Sequence, residues 1–214
     1  MLKIQRFVFN LFHVNTFLIC DDETKVAAVI DPGMYEEAEK SAFKSFVLNN
    51  VLKLNYCINT HCHIDHVLGN SFVKREFGAQ LMIPKDDEFL LEMMIEQANK
   101  FGLEAEISPK PNLFINETST LQLGKIEGKF IFTPGHTPGE VCLYFEKEKV
   151  LFAGDVLFKE SIGRTDLWGG DYETLIRSIK EKLLALPDDV KVYPGHESAT
   201  TIGYEKLHNP FLVN

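Results

Sequence analysis

The chain has 214 residues, 45% hydrophobic and 25% charged, which is long enough and apolar enough for one sizeable folded domain. Its formal net charge of −9 argues against a nucleic-acid or anionic-membrane surface. No apolar run reaches the length of a membrane span, the N-terminal residues lack a secretory apolar core, and the four cysteines have no C-x-x-C spacing. We therefore expect a single domain over residues 1–214, located in the cytoplasm, with a small molecule as its partner.

The first half of the chain alternates short apolar strands with amphipathic helices. Strands are predicted over residues 3–9, 16–20, 25–30, 52–58 and 81–83, and helices over 36–48, 67–77 (starting near Asp65) and 85–101. A four-residue turn separates the second and third strands, so these two are expected to pair. Asp31-Pro32-Gly33 ends the third strand.

The second half contains mostly strands and turns. Residues 102–117 carry two prolines and are predicted to be a loop, whereas residues 172–186 have the apolar stripe of an amphipathic helix. Strands are predicted over residues 121–123, 130–132, 141–145, 150–152 and 190–193. Hairpins mixed with crossovers predict an α/β fold in which sheets and helices form layers.

The most informative segment directly follows the strand over residues 52–58. It runs His61-Cys62-His63-Ile64-Asp65-His66, an H-x-H-x-D-H pattern. Three imidazoles and a carboxylate this close together repel one another when protonated and lose hydration when buried. One or two divalent cations remove both costs, so the segment predicts a metalloenzyme.

Three further candidate ligands follow predicted strands in glycine-containing turns. His136 lies in P-G-H-T-P-G, Asp155 in A-G-D and His196 in P-G-H. Glycine allows a tight turn and the close approach of another group. His61 and His63 are two residues apart and can point to the same side of an extended chain, so they could share one metal ion with His136.

A second metal ion could be held by the remaining ligands. Asp65 and His66 are adjacent, at the expected start of a helix, and therefore point elsewhere; His196 could join them, with Asp155 as the bridging carboxylate. Nitrogen and oxygen donors without cysteine suit Zn²⁺, and also Mn²⁺ or Fe²⁺. Two such ions about 3.5–4 Å apart form a clamp for hydrolysis.

These motifs, in this order, resemble those of the metallo-β-lactamase superfamily, and within it the short glyoxalase II-like (hydroxyacylglutathione hydrolase-like) enzymes. Supporting segments are residues 154–158, 163–167, 201–206 and 209–212. The resemblance implies a four-layer αβ/βα sandwich with a dinuclear site at one edge of two facing sheets. It also implies hydrolysis of a small thioester by a metal-bridging hydroxide, with Asp65 as both a metal ligand and the catalytic carboxylate that orients the nucleophile's proton.

Arg164 is the candidate substrate-binding residue. It lies in a glycine-flanked loop after Asp155, where a guanidinium could bind the carboxylate of a substrate thiol. The alternative is an internal ion pair with Asp166 or Asp171.

Other activities remain open at the level of the sequence. Persulfide dioxygenases share the G-R-T-D segment, and their pattern implies one Fe²⁺ held by His61, His136 and Asp155. A lactonase or ester hydrolase, or a metal-binding module without catalysis, is also compatible with the ligands. A true β-lactamase is disfavoured, since those enzymes typically carry cysteine at the position of Asp155. The basic residues that larger glyoxalase II enzymes supply for glutathione have no counterpart here, which leaves the thiol open.

Overall fold

The structure, a computed structural model, describes residues 1–213. The chain forms two compact units: residues 1–115 with 122–127, and residues 116–121 with the chain from Gly128 onward. The single domain expected over residues 1–214 remains a prediction. None of the helices within residues 1–213 has the length and apolarity needed to cross a membrane.

The N-terminal unit contains a six-stranded sheet in sequential order. Its strands are β1 (Leu2–Phe9), β2 (Val14–Asp21), β3 (Val26–Ile30), β4 (Lys53–Ile58), β5 (Gln80–Pro84) and β6 (Leu113–Ile115). The first three strands pair antiparallel, as expected for β2 and β3, and the pairs from β3 to β6 are parallel. Strand β6 lies in the segment predicted to be a loop, because three residues are too few to show an alternating pattern.

Five helices accompany this sheet: α1 (Glu37–Asn49), α2 (Ile64–Val67), α3 (Asn70–Phe77), α4 (Glu88–Glu92) and α5 (Met94–Lys100). The carboxylate of Glu39 caps α1 by accepting from the backbone N–H groups of Tyr35 and Glu36. The helix predicted over residues 85–101 is instead a 3₁₀ turn (Lys85–Asp87) followed by α4 and α5. It is interrupted at Met93, whose backbone has φ −81° and ψ 7°.

The second six-stranded sheet has the order β14-β13-β10-β9-β8-β7, and all of it except residues 122–123 and 126–127 belongs to the C-terminal unit. The elements are β7 (Thr120–Leu123), β8 (Ile126–Phe132), β9 (Val141–Phe145), β10 (Val150–Gly154), the ribbon β11 (Leu157–Phe158) and β12 (Ser161–Ile162), α6 (Tyr172–Ser178), β13 (Lys191–Pro194), β14 (Thr200–Thr201) and α7 (Ile202–His208). A π-helical turn (Ile179–Leu183) continues α6. Leu175, Ile179 and Leu183 of this stretch are buried in a cluster with Leu151 and Val192 of the sheet.

Strand direction explains where the candidate ligands lie within each unit. Strands β3 and β4 are parallel, so Asp31 and residues 61–66, which follow them, lie at the same edge of the first sheet. Strand β9 is antiparallel to both β8 and β10, and β13 is parallel to β10. Strands β8, β10 and β13 therefore run in one direction, and His136, Asp155 and His196 follow their carboxyl ends.

Candidate metal centre

The N-terminal unit brings the four side chains of the H-x-H-x-D-H run together. The ring centroid of His61 is 5.0 Å from that of His63 and 4.0 Å from that of His66. Asp65 Oδ2 lies 3.4 Å from His66 Nε2. The three histidines are buried, whereas the Asp65 side chain is 14% exposed. Asp65 is therefore the member of this group that most readily meets a substrate or water.

The C-terminal unit gathers the other three candidate ligands around one carboxylate. Asp155 Oδ2 lies 3.7 Å from His136 Nε2 and 3.5 Å from His196 Nε2. His136 is buried, and the His196 side chain is 22% exposed. A single aspartate thus faces two imidazoles, which is the position expected of a bridging ligand.

Oxygen atoms close to Nδ1 favour one tautomer of two imidazoles in the N-terminal unit. His66 Nδ1 lies 3.1 Å from Asp31 Oδ2, and a nearby carboxylate, which can only accept, favours the tautomer with the proton on Nδ1. Thr60 Oγ1 donates to Asp31 Oδ2 at 2.7 Å and therefore accepts from His61 Nδ1 at 3.1 Å. Both rings consequently present the lone pair of Nε2, the atom that a metal ion needs.

His136 is oriented in the same way by a backbone carbonyl. Its Nδ1 donates to the oxygen of Arg164 at 2.7 Å, so Nε2 is again the atom free of a proton and the candidate ligand atom. This contact depends on Gly163, because a Cβ at that position would lie 1.8 Å from the carbonyl oxygen of Asp155 and 3.2 Å from His136 Nδ1. The loop bearing Arg164 therefore supports the site through its main chain.

The backbone of Asp65 is held from the other side by the turn between β1 and β2. The amide nitrogen of the Asn10 side chain donates to the carbonyl oxygens of Gly33 and Asp65, at 2.8 Å and 3.0 Å. Gly33 permits this approach, since a Cβ there would lie 2.7 Å from the Asp65 oxygen and 2.1 Å from a methyl of Val14. The position of Asp65 is thus fixed independently of its side chain.

A family model described as the metallo-beta-lactamase superfamily matches residues 9–196. The chain belongs to the metallo-β-lactamase superfamily. It is 45% identical over 203 residues to a Haemophilus influenzae protein named hydroxyacylglutathione hydrolase GloC, a match that covers 94% of this chain and 93% of the relative. These two findings support a metallo-hydrolase.

Solved structures of the metallo-β-lactamase fold agree with this assignment. BLEG-1, named a B3 metallo-beta-lactamase, is 33% identical with a TM-score of 0.89, and the match covers 100% of both chains. TTHA1623 in a di-iron-bound form is 31% identical with a TM-score of 0.87, over 97% of this chain and 100% of the other. ETHE1 from Myxococcus xanthus is 25% identical with a TM-score of 0.79, over 97% and 83%. The expected α/β class and metallo-β-lactamase fold are confirmed.

The donors of this superfamily member suit divalent metal ions. They are imidazole nitrogens and carboxylate oxygens, the ligand types that zinc, iron and manganese share. The cysteines lie outside the set: Cys62 is buried between two ligands, and burial raises the pKa of Cys57 and Cys142, which keeps both thiols neutral. The residues present therefore fit hard or borderline divalent cations.

Asp31 and Glu140 are buried carboxylates that contact the candidate ligands and were not predicted from the sequence. The sequence pattern marks Asp31 only as part of the turn that ends β3, although it follows its strand as Asp155 follows β10. Glu140, in the P-G-H-T-P-G-E segment, is fully buried, and its Oε1 accepts from the backbone N–H of Asp155 at 2.8 Å. A carboxylate directly after a buried strand, or inside a ligand motif, was the available signal.

The side chain of Arg164 forms the internal ion pair that was the alternative to substrate binding. Its Nε and one terminal nitrogen donate to both oxygens of Asp166, at 2.6 Å and 2.7 Å. This pair raises the pKa of the guanidinium, and both side chains are more than half exposed. Because exposed pairs contribute little to stability, an anionic group could displace Asp166 at small cost.

Proposed function

We propose that this protein hydrolyses a small thioester of the hydroxyacylglutathione kind. The observation that carries the proposal is the 45% identity, over nearly the whole chain, to a relative with that name. All seven side chains of the expected metal site are present, and each unit groups its own members within a few ångströms. A small-molecule thioester is the proposed partner, and four buried cysteines outside any disulfide support a cytoplasmic location.

We further propose that the two groups of ligands together hold two divalent ions, with zinc as the first choice. His61, His63 and His136 would hold one ion, while Asp65, His66 and His196 would hold the other. Asp155 would bridge the two sets, as its contacts with His136 and His196 suggest. When bound, such ions lower the pKa of water toward neutrality and polarise a carbonyl oxygen.

The side chains have distinct tasks in this reaction. Water adds to the thioester carbonyl carbon, the carbon–sulfur bond breaks, and the products are a carboxylic acid and a thiol. Asp65 is partly exposed and adjacent to His66, so its carboxylate can orient the attacking water and receive its proton. Transfer of that proton from Asp65 to the departing sulfur gives the free thiol. Asp31 and Thr60 keep the imidazoles in the tautomer that leaves Nε2 to the metal.

Arg164 is the proposed binding residue for a carboxylate of the thiol carrier. The support is its exposed guanidinium on a loop whose carbonyl already contacts His136. Replacing Arg164 with Ala should raise KM for an anionic thioester with little change in kcat, and Asp166→Asn should lower KM by releasing the guanidinium. An unchanged KM in both variants would leave Arg164 with the internal ion pair alone.

One protein preparation can test the function. Metal content is measured by elemental analysis, and hydrolysis of S-lactoylglutathione is followed by loss of the thioester absorbance, with a metal-stripped sample as the control. Two equivalents of metal with rapid turnover would support the proposal. Two equivalents without turnover would exclude this substrate but retain a hydrolase. A β-lactam belongs in the same assay, because BLEG-1 is named a metallo-beta-lactamase. A lactone tests the ester-hydrolase alternative.

A mononuclear iron persulfide dioxygenase is the second candidate. The likeness to the ETHE1 structure, at 25% identity, is compatible with it. In that case one iron would be held by His61, His136 and Asp155. Oxygen consumption with glutathione persulfide, together with one equivalent of iron, would favour the dioxygenase over the hydrolase.

A further inference from the structure

The backbone of the metal-binding run is held by two buried polar side chains that the proposed reaction does not use. Asp87 ends the 3₁₀ turn after β5, and Gln97 lies in α5; both are completely buried. Burying a carboxylate and an amide is costly unless they form hydrogen bonds. The hydrogen-bond partners of Asp87 and Gln97 therefore indicate what the two side chains do.

Gln97 contacts the peptide groups on both sides of His63. Its Oε1 accepts from the N–H of Ile64 at 3.1 Å, and its Nε2 donates to the carbonyl of Cys62 at 3.2 Å. One planar amide thus fixes the peptide before His63 and the peptide after it. The second proton of Nε2 goes to the carbonyl of Leu90 at 2.7 Å, which anchors Gln97 to α4.

Asp87 contacts the peptide that follows His61. Its Oδ2 accepts from the N–H of Cys62 at 3.1 Å. Together, Asp87 and Gln97 hold the peptide groups that set the direction of the His61 and His63 side chains. A residue two positions along an extended chain points the same way only if the peptides between keep their orientation.

We propose that Asp87 and Gln97 are positioning residues that orient His61 and His63 toward one metal ion. This inference rests on the proposed dinuclear centre and assigns these two residues to one of its ions. Groups that hold metal ligands in place typically change metal affinity by about 10- to 100-fold when removed. If the two residues were merely structural, their removal would lower the stability of the fold without weakening one metal ion more than the other.

The test compares Asp87→Ala and Gln97→Met with the matched control Asp21→Ala. Asp21 is also a buried carboxylate that accepts from backbone N–H groups, those of Glu23 and Lys125, but it lies at the end of β2. Metal-free proteins are titrated with Zn²⁺ against a chromophoric chelator, and thermal unfolding of the metal-free form is measured in parallel. We expect one equivalent to bind roughly tenfold or more weakly in both variants while the other changes less than about threefold.

Conservative variants guard against failure to fold. Asp87→Asn retains an oxygen for the Cys62 N–H and should bind metal nearly as tightly as the unmodified protein. Gln97→Glu places an oxygen against the carbonyls of Cys62 and Leu90, so its metal affinity should stay low. If both variants lose stability as Asp21→Ala does, yet bind metal like the unmodified protein, the positioning role is excluded. If the unmodified protein binds a single equivalent, the same comparison applies to that ion. Absence of thioester turnover would overturn the proposed function and leave this result standing.

Discussion

The carboxylate of Asp31 provides the sharpest test of how the ligands are oriented. It accepts from Thr60 N and Thr60 Oγ1, both at 2.7 Å, and faces His66 Nδ1 at 3.1 Å. Asparagine has nearly the same shape and tolerates the left-handed backbone found here, with φ 50°. Asp31→Asn therefore changes one oxygen to a donating amine and leaves the backbone unstrained.

The expected effect concerns the tautomers of His66 and His61. With the oxygen of the introduced amide kept on Thr60 N, its nitrogen faces His66 Nδ1, which must become the acceptor. The imidazole proton then moves to Nε2, the proposed ligand atom. Thr60 Oγ1, which donates to the replaced oxygen, then accepts from the amide and donates to His61 Nδ1, so His61 changes tautomer as well. We expect the metal ions held by these two histidines to bind about 10- to 100-fold more weakly, equivalent to about 1.4–2.8 kcal/mol. The unfolding free energy of the metal-free protein should change less than when the whole Asp31 side chain is removed.

Asp31→Gly separates the tautomer from the loss of the carboxylate. Glycine accepts the positive φ, and His66 can then choose either tautomer, so metal binding should weaken less than in Asp31→Asn. The N–H of Thr60 is left buried without this acceptor, which should cost about 1–3 kcal/mol of stability. Chelator competition and urea unfolding should therefore rank the two variants in opposite orders. If glycine weakens metal binding at least as much as asparagine, the imidazole tautomer does not determine the metal affinity.

Three further predictions follow from other carboxylates. Asp65→Ala should lose both turnover and affinity for one metal ion, measured by thioester hydrolysis and metal content; full retention of both would remove Asp65 from the site. Glu140→Ala leaves the buried N–H of Asp155 without this acceptor and should lower the urea-unfolding free energy by about 1–3 kcal/mol, whereas Glu140→Gln should lose less. The pKa of Asp21 is held far below its usual range, chiefly by the backbone N–H of Lys125, so its charged form stabilises the fold above the unfolded pKa of about 4. Asp21→Asn should accordingly be less stable at neutral pH, and the difference in denaturation midpoint should shrink as the pH falls below about 4.

The elements that the sequence predicted best are those with the strongest local pattern. Strand β9 matches its predicted bounds, residues 141–145, because every position is apolar and turns flank it. The helix predicted over residues 172–186 has its apolar stripe, but it passes into a π-helical turn after Ser178. The spacing of apolar side chains predicts which face of the helix is buried. It does not predict whether each backbone N–H bonds the carbonyl four or five residues earlier. The two-residue strands β11, β12 and β14 were missed for lack of any pattern.

Within the candidate site, the sequence predicts the metal ligands, which stay a prediction, but it gives few of the groups that contact them. The H-x-H-x-D-H run is local, so its chemistry can be read from adjacent residues. The groups that orient it come from distant positions: Asp31, Asp87 and Gln97 reach it only because parallel strands and the segments after them meet at one edge of the sheet. Gln97 in particular lies in a helical pattern, where nothing local distinguishes it from a solvent-exposed polar residue.

The loop bearing Arg164 shows why metal chemistry is easier to predict than substrate. Its motif drew attention to a guanidinium, yet the contact with His136 is made by the carbonyl, and Gly163 makes room for it. Any amino acid at position 164 supplies that carbonyl. The side chain there can consequently differ according to the substrate while His136 keeps its orientation. A larger residue at position 163 would instead push the loop away from Asp155. Substitutions of Arg164 should therefore change substrate preference, whereas substitutions of Gly163 should change metal binding.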